Sequence, residues 1–216
     1  MKKIALILAG CGNKDGAEIT ESVSLLIALS QCGAEVTAFA PSVEFSATDF
    51  IQQKPMEQTR NTLTEAARIM RGNISDLKNL DVKEFDAVAF AGGYGVVKNL
   101  CNWAEKGARC EVLPEVEKAI IGFYEASKPI GAVCIAPALI ARVLGKKHIT
   151  VTVGEYSDAA KEIEKTGAIH ESCPVDDFIT DREHKIVTTP AYMFEAKPHE
   201  VFKGIQAMAK ELVEWA

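Results

Sequence analysis

Residues 129–145 read Pro-Ile-Gly-Ala-Val-Cys-Ile-Ala-Pro-Ala-Leu-Ile-Ala-Arg-Val-Leu-Gly. Pro129 to Val133 is a short apolar run with the character of a buried strand. Pro137 to Leu144 has helical character and is closed by Gly145, a residue suited to the end of a helix. Cys134 stands between the two, with Ala132 two residues before it and Ala136 two residues after. A strand, a sharp turn flanked by small residues and a helix make the setting of a nucleophile elbow, here with cysteine as the nucleophile. The helix N-terminus beside it is expected to lower the thiol pKa and favour the thiolate.

The same alternation extends outward. Ile4 to Ala9 is an uninterrupted apolar run, as expected for a parallel strand covered by helices on both faces. At six residues it is shorter than the roughly 7–15 of a secretory apolar core, so it reads as strand rather than export signal. Further strands are expected at Glu35 to Ala40, Phe85 to Ala91 and Ile149 to Val153, and two short ones in Asp176 to Thr189. Helices are expected at about Ala17 to Cys32, Leu63 to Arg71, Pro114 to Ser127 and Ser157 to Thr166. A last helix places Val201, Ile205, Met208, Leu212 and Trp215 on one face. Strands alternating with helices indicate an α/β protein, a mostly parallel sheet sandwiched between helices. One domain is expected over residues 1–216, with a polar elaboration at about 45–83 and a surface loop or short helix from Cys101 to Leu113. Ligands of such sheets bind at the carboxyl ends of the strands. That directs attention to the loops Gly10–Gly16 and Gly92–Gly95 and to the turn at Cys134.

Composition limits the partners. The chain carries 24 Lys+Arg against 30 Asp+Glu, for a net charge of -6, with no basic block. A nucleic acid or an anionic membrane surface would require a positive footprint, so neither is expected. No apolar run approaches the roughly 20 residues of a membrane helix. The six cysteines show no Cys-x-x-Cys spacing, and with a core of this size they read as reduced thiols of a cytoplasmic protein, without a metal. The loop Gly10 to Gly16 misses the dinucleotide pattern by one position, and no cofactor is expected.

A cysteine nucleophile needs a proton partner. Glu18 and Glu21 both lie near the end of the first strand, and the residues alone do not choose between them. Backbone N–H groups of Ile135 and of the facing Gly92, Gly93 and Tyr94 are expected to form an oxyanion hole. Cys11 in the first loop is a possible accessory. Cys32, Cys101 and Cys110 read as structural.

Several motifs together resemble one family: Gly10-Cys11-Gly12, Asp15-Gly16, Thr59-Arg60-Asn61, Glu65-Ala66-Ala67-Arg68, Gly92-Gly93-Tyr94-Gly95, Cys134-Ile135-Ala136-Pro137-Ala138, Cys173-Pro174-Val175-Asp176-Asp177 and Lys185 to Met193. Over essentially the whole chain they are similar to the ElbB family, also called sigma cross-reacting or isoprenoid biosynthesis proteins with an amidotransferase-like domain. Its wider group is the PfpI and class I glutamine amidotransferase-like superfamily. The resemblance implies a flavodoxin-like α/β/α sandwich, a homodimer, Cys134 as catalytic residue and Glu21 as its partner. It also implies a glutathione-independent, glyoxalase III-type conversion of a small aldehyde, glyoxal or methylglyoxal, to the hydroxy acid, with an indirect link to isoprenoid biosynthesis. Glutamine amidotransferases add a histidine after the strand that here reads Thr188-Thr189-Pro190-Ala191-Tyr192, where none occurs. The histidine that some related aldehyde enzymes use after the next strand is also missing, leaving Glu155 and His170 as substitutes. The alternatives are a redox sensor oxidised at Cys134 and an amidase-like hydrolase.

Overall fold

The first strand, β1 (Lys3–Ile7), sets the layering. Side chains alternate across a strand, so Ile4, Leu6 and Leu8 enter one core while Ala5, Ile7 and Ala9 enter the other. All six are buried, which is why the segment reads as a continuous apolar run. The computed structural model describes residues 1–216.

After β1 the chain runs through α1 (Ile19–Gln31), β2 (Glu35–Ala40), β3 (Glu44–Asp49), β4 (Lys54–Asn61), α2 (Thr62–Ile69), β5 (Ile74–Asp76) and β6 (Ala87–Phe90). It continues with α3 (Trp103–Lys106), α4 (Pro114–Glu125), β7 (Ile130–Val133) and α5 (Ala136–Leu144). The last elements are β8 (Thr150–Val151), α6 (Asp158–Glu164), β9 (Ile169–His170), β10 (Ile179–Asp181), β11 (Ile186–Thr189) and α7 (Pro198–Trp215).

Seven strands form the central sheet in the order β10-β11-β7-β6-β1-β2-β5. Every pairing is parallel except the β10–β11 hairpin at one edge. Helices α1 and α7 pack on the Ile4/Leu6 face, and α4 and α5 cover the other. From β1 the chain first adds β2 and β5 on one side and then returns to place β6 on the other. The crevice between β1 and β6 is therefore the switch point at which α/β sheets bind ligands.

Two expectations change. Only Thr150 and Val151 of the expected strand Ile149 to Val153 are extended, and they pair with β9 in a separate two-stranded sheet. The hairpin β10–β11 has taken the sheet edge. The segment Cys101 to Leu113, expected as a surface loop or short helix, holds the short helix α3, but Cys101 and Cys110 in it are buried in the core. An antiparallel bridge between Cys101 and Val112 folds that segment inward.

The polar stretch after β2 forms the antiparallel hairpin β3–β4, whose second strand is exposed from Lys54 to Thr59. The Thr48 amide donates to Asp15 Oδ2 at 2.7 Å, which ties the hairpin to the loop after β1.

Candidate active site

The main chain at Cys134 has φ +62°, a left-handed conformation that non-glycine residues rarely adopt. The Cys134 amide donates to Thr189 O at 2.9 Å, extending the β7–β11 ladder to the turn, and Ala138 N donates to Ile135 O at 3.0 Å as α5 begins. The strand and the helix thus leave the residue between them no other path, and the strain lifts its side chain above the sheet end.

Glu21 comes from the first turn of α1 and is fully buried. Its Oε1 accepts the Tyr192 amide at 3.1 Å. Its Oε2 has no conventional hydrogen-bond partner, and the polar group facing it is the Cys134 thiol. Burial, with the charge of Glu18 adding to it, pushes the Glu21 carboxyl up to about 8, so it is protonated near neutral pH. Glu18 has a different task. As N-cap of α1 it accepts the Glu21 amide at Oε2 (2.6 Å), and its carbonyl accepts the Ser22 hydroxyl at 2.6 Å.

The thiol departs from expectation. Burial raises its pKa above the ordinary cysteine value, and the nearby Glu21 carboxylate adds to the rise. The amides of Gly93 and Ile135 point at the sulfur and pull the other way, with smaller effect. The helix N-terminus therefore stabilises the thiolate less than desolvation opposes it, and the resting pair holds its protons.

Gly92 and Gly93 are needed for contact. A Cβ at Gly92 would collide with Glu21 Oε2 and Cys134 Cβ, and would stand 2.9 Å from Val133 O. Gly93 has φ +103°, and a Cβ there would meet Gly16 O at 2.5 Å. The second loop can thus lie directly over the thiol and carboxyl. It is held there by the Tyr94 amide on Asn13 O (2.8 Å), which takes that N–H out of the expected oxyanion hole, and by the Gly95 amide on Gly16 O (3.0 Å). The buried Asn99 side chain fixes the first loop from beneath, donating to Ala9 O at 3.0 Å and Asp15 O at 2.8 Å.

Cys134 and Glu21 sit at the base of a cleft of about 840 Å³ whose walls include Tyr94, Ile135, Tyr192, Met193 and Phe194. Gly93 lines it as well. The expected accessory residues do not. Glu155 is exposed and outside the cleft. His170 also lies outside: its Nε2 accepts the Val153 amide at 3.3 Å and its ring meets Tyr156 edge-on. Cys11 is partly buried and also outside the cleft, and the charges that act on it are those of Glu65, Arg68, Asp15 and Arg60. No three His, Cys, Asp or Glu side chains are grouped to hold a metal ion, and no helix is long and apolar enough to cross a membrane.

The wall formed by residues 191–194 was missed as a site element. No local pattern signals it: the wall follows from β11 lying parallel to β7, which brings the chain leaving Thr189 out beside Cys134. Ala191, at φ +45°, turns that chain so that the Tyr192 amide reaches Glu21.

The mostly parallel sheet between helices, which carries the strained cysteine elbow at its switch point, has the fold seen in ThiJ/PfpI domain proteins. A ThiJ/PfpI domain protein of Brachyspira murdochii superposes with a TM-score of 0.60 at 14% identity, a likeness of fold alone. No family model matches the chain. The human protein "Glutamine amidotransferase-like class 1 domain-containing protein 3, mitochondrial" is 43% identical over 98% of this chain and 82% of its own length. The rat "ES1 protein homolog, mitochondrial" is 42% identical over 98% and 83%. The crystal structure of an isoprenoid biosynthesis protein with amidotransferase-like domain from Ehrlichia chaffeensis superposes with a TM-score of 0.94. It is 37% identical, over 100% of this chain and 99% of that one. The chain belongs to the family of ES1 proteins, the glutamine amidotransferase-like class 1 domain proteins. The cytoplasmic location expected from the sequence is corrected by these relatives, since both curated ones are named as mitochondrial.

Proposed function

We propose that this chain is a glutathione-independent, glyoxalase-type enzyme of the ElbB kind, converting glyoxal or methylglyoxal to the hydroxy acid. The observation that carries the reading is the buried Cys134–Glu21 pair beneath the amides of Gly93 and Ile135. It combines a nucleophile, a carboxylic acid of raised pKa and an oxyanion site.

In the first step the pair releases one proton to solvent, leaving the Cys134 thiolate beside protonated Glu21, and the sulfur adds to one aldehyde carbon. The new alkoxide, facing the two amides, takes up the Glu21 proton and becomes a hemithioacetal hydroxyl. Glu21, now a carboxylate, removes the hydrogen on the sulfur-bearing carbon and returns it to the neighbouring carbon through an enediol. The first carbon is oxidised to a thioester as the second is reduced to an alcohol, so no outside oxidant enters. Water then cleaves the thioester, releasing glycolate and restoring the thiol.

The oxidation-sensor alternative would use the same thiolate, attacking peroxide, and has less support because the thiol opens on a cleft of about 840 Å³, space for an organic substrate. Amide hydrolysis lacks the histidine that would protonate a leaving amine. A homodimer and an indirect role in isoprenoid biosynthesis, the latter carried by the name of the Ehrlichia protein, stand as proposals with this one. Glycolate formation from glyoxal in glutathione-free buffer, compared with Cys134→Ser, tests the activity. Loss in the variant supports it, and equal rates in both proteins overturn it.

A further inference from the structure

The cleft above Cys134 is far larger than a two-carbon dicarbonyl needs. At about 840 Å³ it lies within the range of roughly 300–1,000 Å³ typical of sites that enclose drug-sized molecules. Its walls are also the wrong kind for so polar a molecule. They include Tyr94, Ile135, Tyr192, Met193 and Phe194. Phe194 is fixed by its contact with the Gly154–Pro190 corner, where a Cβ at Gly154 would meet the ring at 2.8 Å. Tyr94, 45% exposed, closes the cleft on the solvent side, with Lys98 Nζ 5.2 Å from its ring centroid on the cation–π face.

The charge around the cleft argues in the same direction. Glu18 and Glu195 line it against the single cation Lys14. A carboxylate or phosphate on the substrate would meet this acidic lining without an arginine to pair with it. A neutral substituent would not, and an aromatic one finds three rings to pack against.

Resting on the dicarbonyl reading above, we propose that the preferred substrates are 2-oxoaldehydes bearing a neutral aryl or branched-alkyl group. The Cys134 sulfur adds to their aldehyde carbon while the substituent lies between Tyr94 and the Tyr192–Phe194 wall. The aldehyde carbon becomes the carboxylate and the ketone carbon becomes the alcohol, with one water consumed. Because the substituent is held on one side, the enediol is reprotonated from one face only, by Glu21, and the product is a single enantiomer.

Phenylglyoxal, which gives mandelate, serves as the probe beside glyoxal and para-carboxyphenylglyoxal. The expected result is a kcat/KM for phenylglyoxal at least ~10-fold above that for glyoxal, matching the smaller discriminations of apolar pockets. The para-carboxylate is expected to lose most of that advantage, and the mandelate to have one hand in clear excess. Phe194→Ala and Tyr192→Ala are expected to lower the phenylglyoxal-to-glyoxal ratio. A protein that turns over glyoxal as well as or better than phenylglyoxal, or gives racemic mandelate, overturns this inference and leaves the glyoxalase reading intact. A protein inactive on all three overturns both.

Discussion

At the residue scale the site is a thiol and a carboxyl that share protons in a buried space. Glu21 titrates near 8 and the thiol higher, both displaced upward by burial. The reactive arrangement, thiolate beside carboxylic acid, contains one proton fewer than the resting pair. Turnover is therefore expected to rise with pH through about 8, a value belonging to the pair. Glu21→Gln removes the proton carrier, so glycolate formation should fall roughly 10²–10⁴-fold, the usual contribution of general acid–base catalysis. Its acid limb should also move upward, since the thiol must then ionise alone. A pH–rate profile of both proteins checks this, and an unchanged acid limb in the variant contradicts it. Gly92→Ala probes the same contact sterically. Its Cβ would enter the space between Glu21 and Cys134, so loss of most activity is expected, with destabilisation on the order of 1–3 kcal/mol measured by urea unfolding.

At the level of elements, the site is an assembly of four strand ends, and the sequence revealed three. The β1, β6 and β7 ends announce themselves by apolar runs that stop at glycine or at the elbow cysteine. The end of β11 was hidden, because its recognition depends on β11 lying beside β7, a long-range pairing that local pattern does not encode. The thiol pKa was misjudged for a related reason. The helix N-terminus at Ala136 is a local feature, whereas desolvation comes from the loops that close over Cys134 from elsewhere in the chain. Asn99 shows how those loops are held: it follows β6, and its amide satisfies two carbonyls of the loop after β1. Asn99→Ala would leave Ala9 O and Asp15 O without these donors, at a cost of about 1–3 kcal/mol for a buried unsatisfied group. Chemical denaturation should show that loss, and amide exchange should quicken in residues 10–16. A variant as stable as the wild type, with unchanged exchange, would contradict this role.

At the scale of the whole molecule, a protonated Glu21 couples global stability to pH. Its carboxyl titrates near 4.5 when freely solvated and at about 8 when folded. Between those values the folded chain holds a proton that the unfolded chain has released, so stability falls as pH rises. The favourable contribution is complete below about 4.5, is lost progressively up to about 8, and changes no further above that. Its limiting slope is about 1.4 kcal/mol per pH unit. Asp15, also raised by burial, contributes with the same sign, while Asp158, Asp176, Glu111 and Glu162 are lowered by lysine partners or amide hydrogen bonds and contribute with the opposite sign at more acidic pH. The difference between the wild type and Glu21→Gln isolates the one group, because these carboxylates are common to both. Unfolding free energies of the two proteins from about pH 5 to 9 should show the variant gaining on the wild type up to about pH 8, and a constant difference beyond. A difference independent of pH throughout would mean that Glu21 is ionised in the folded protein, and the thiolate would then lack its proton donor.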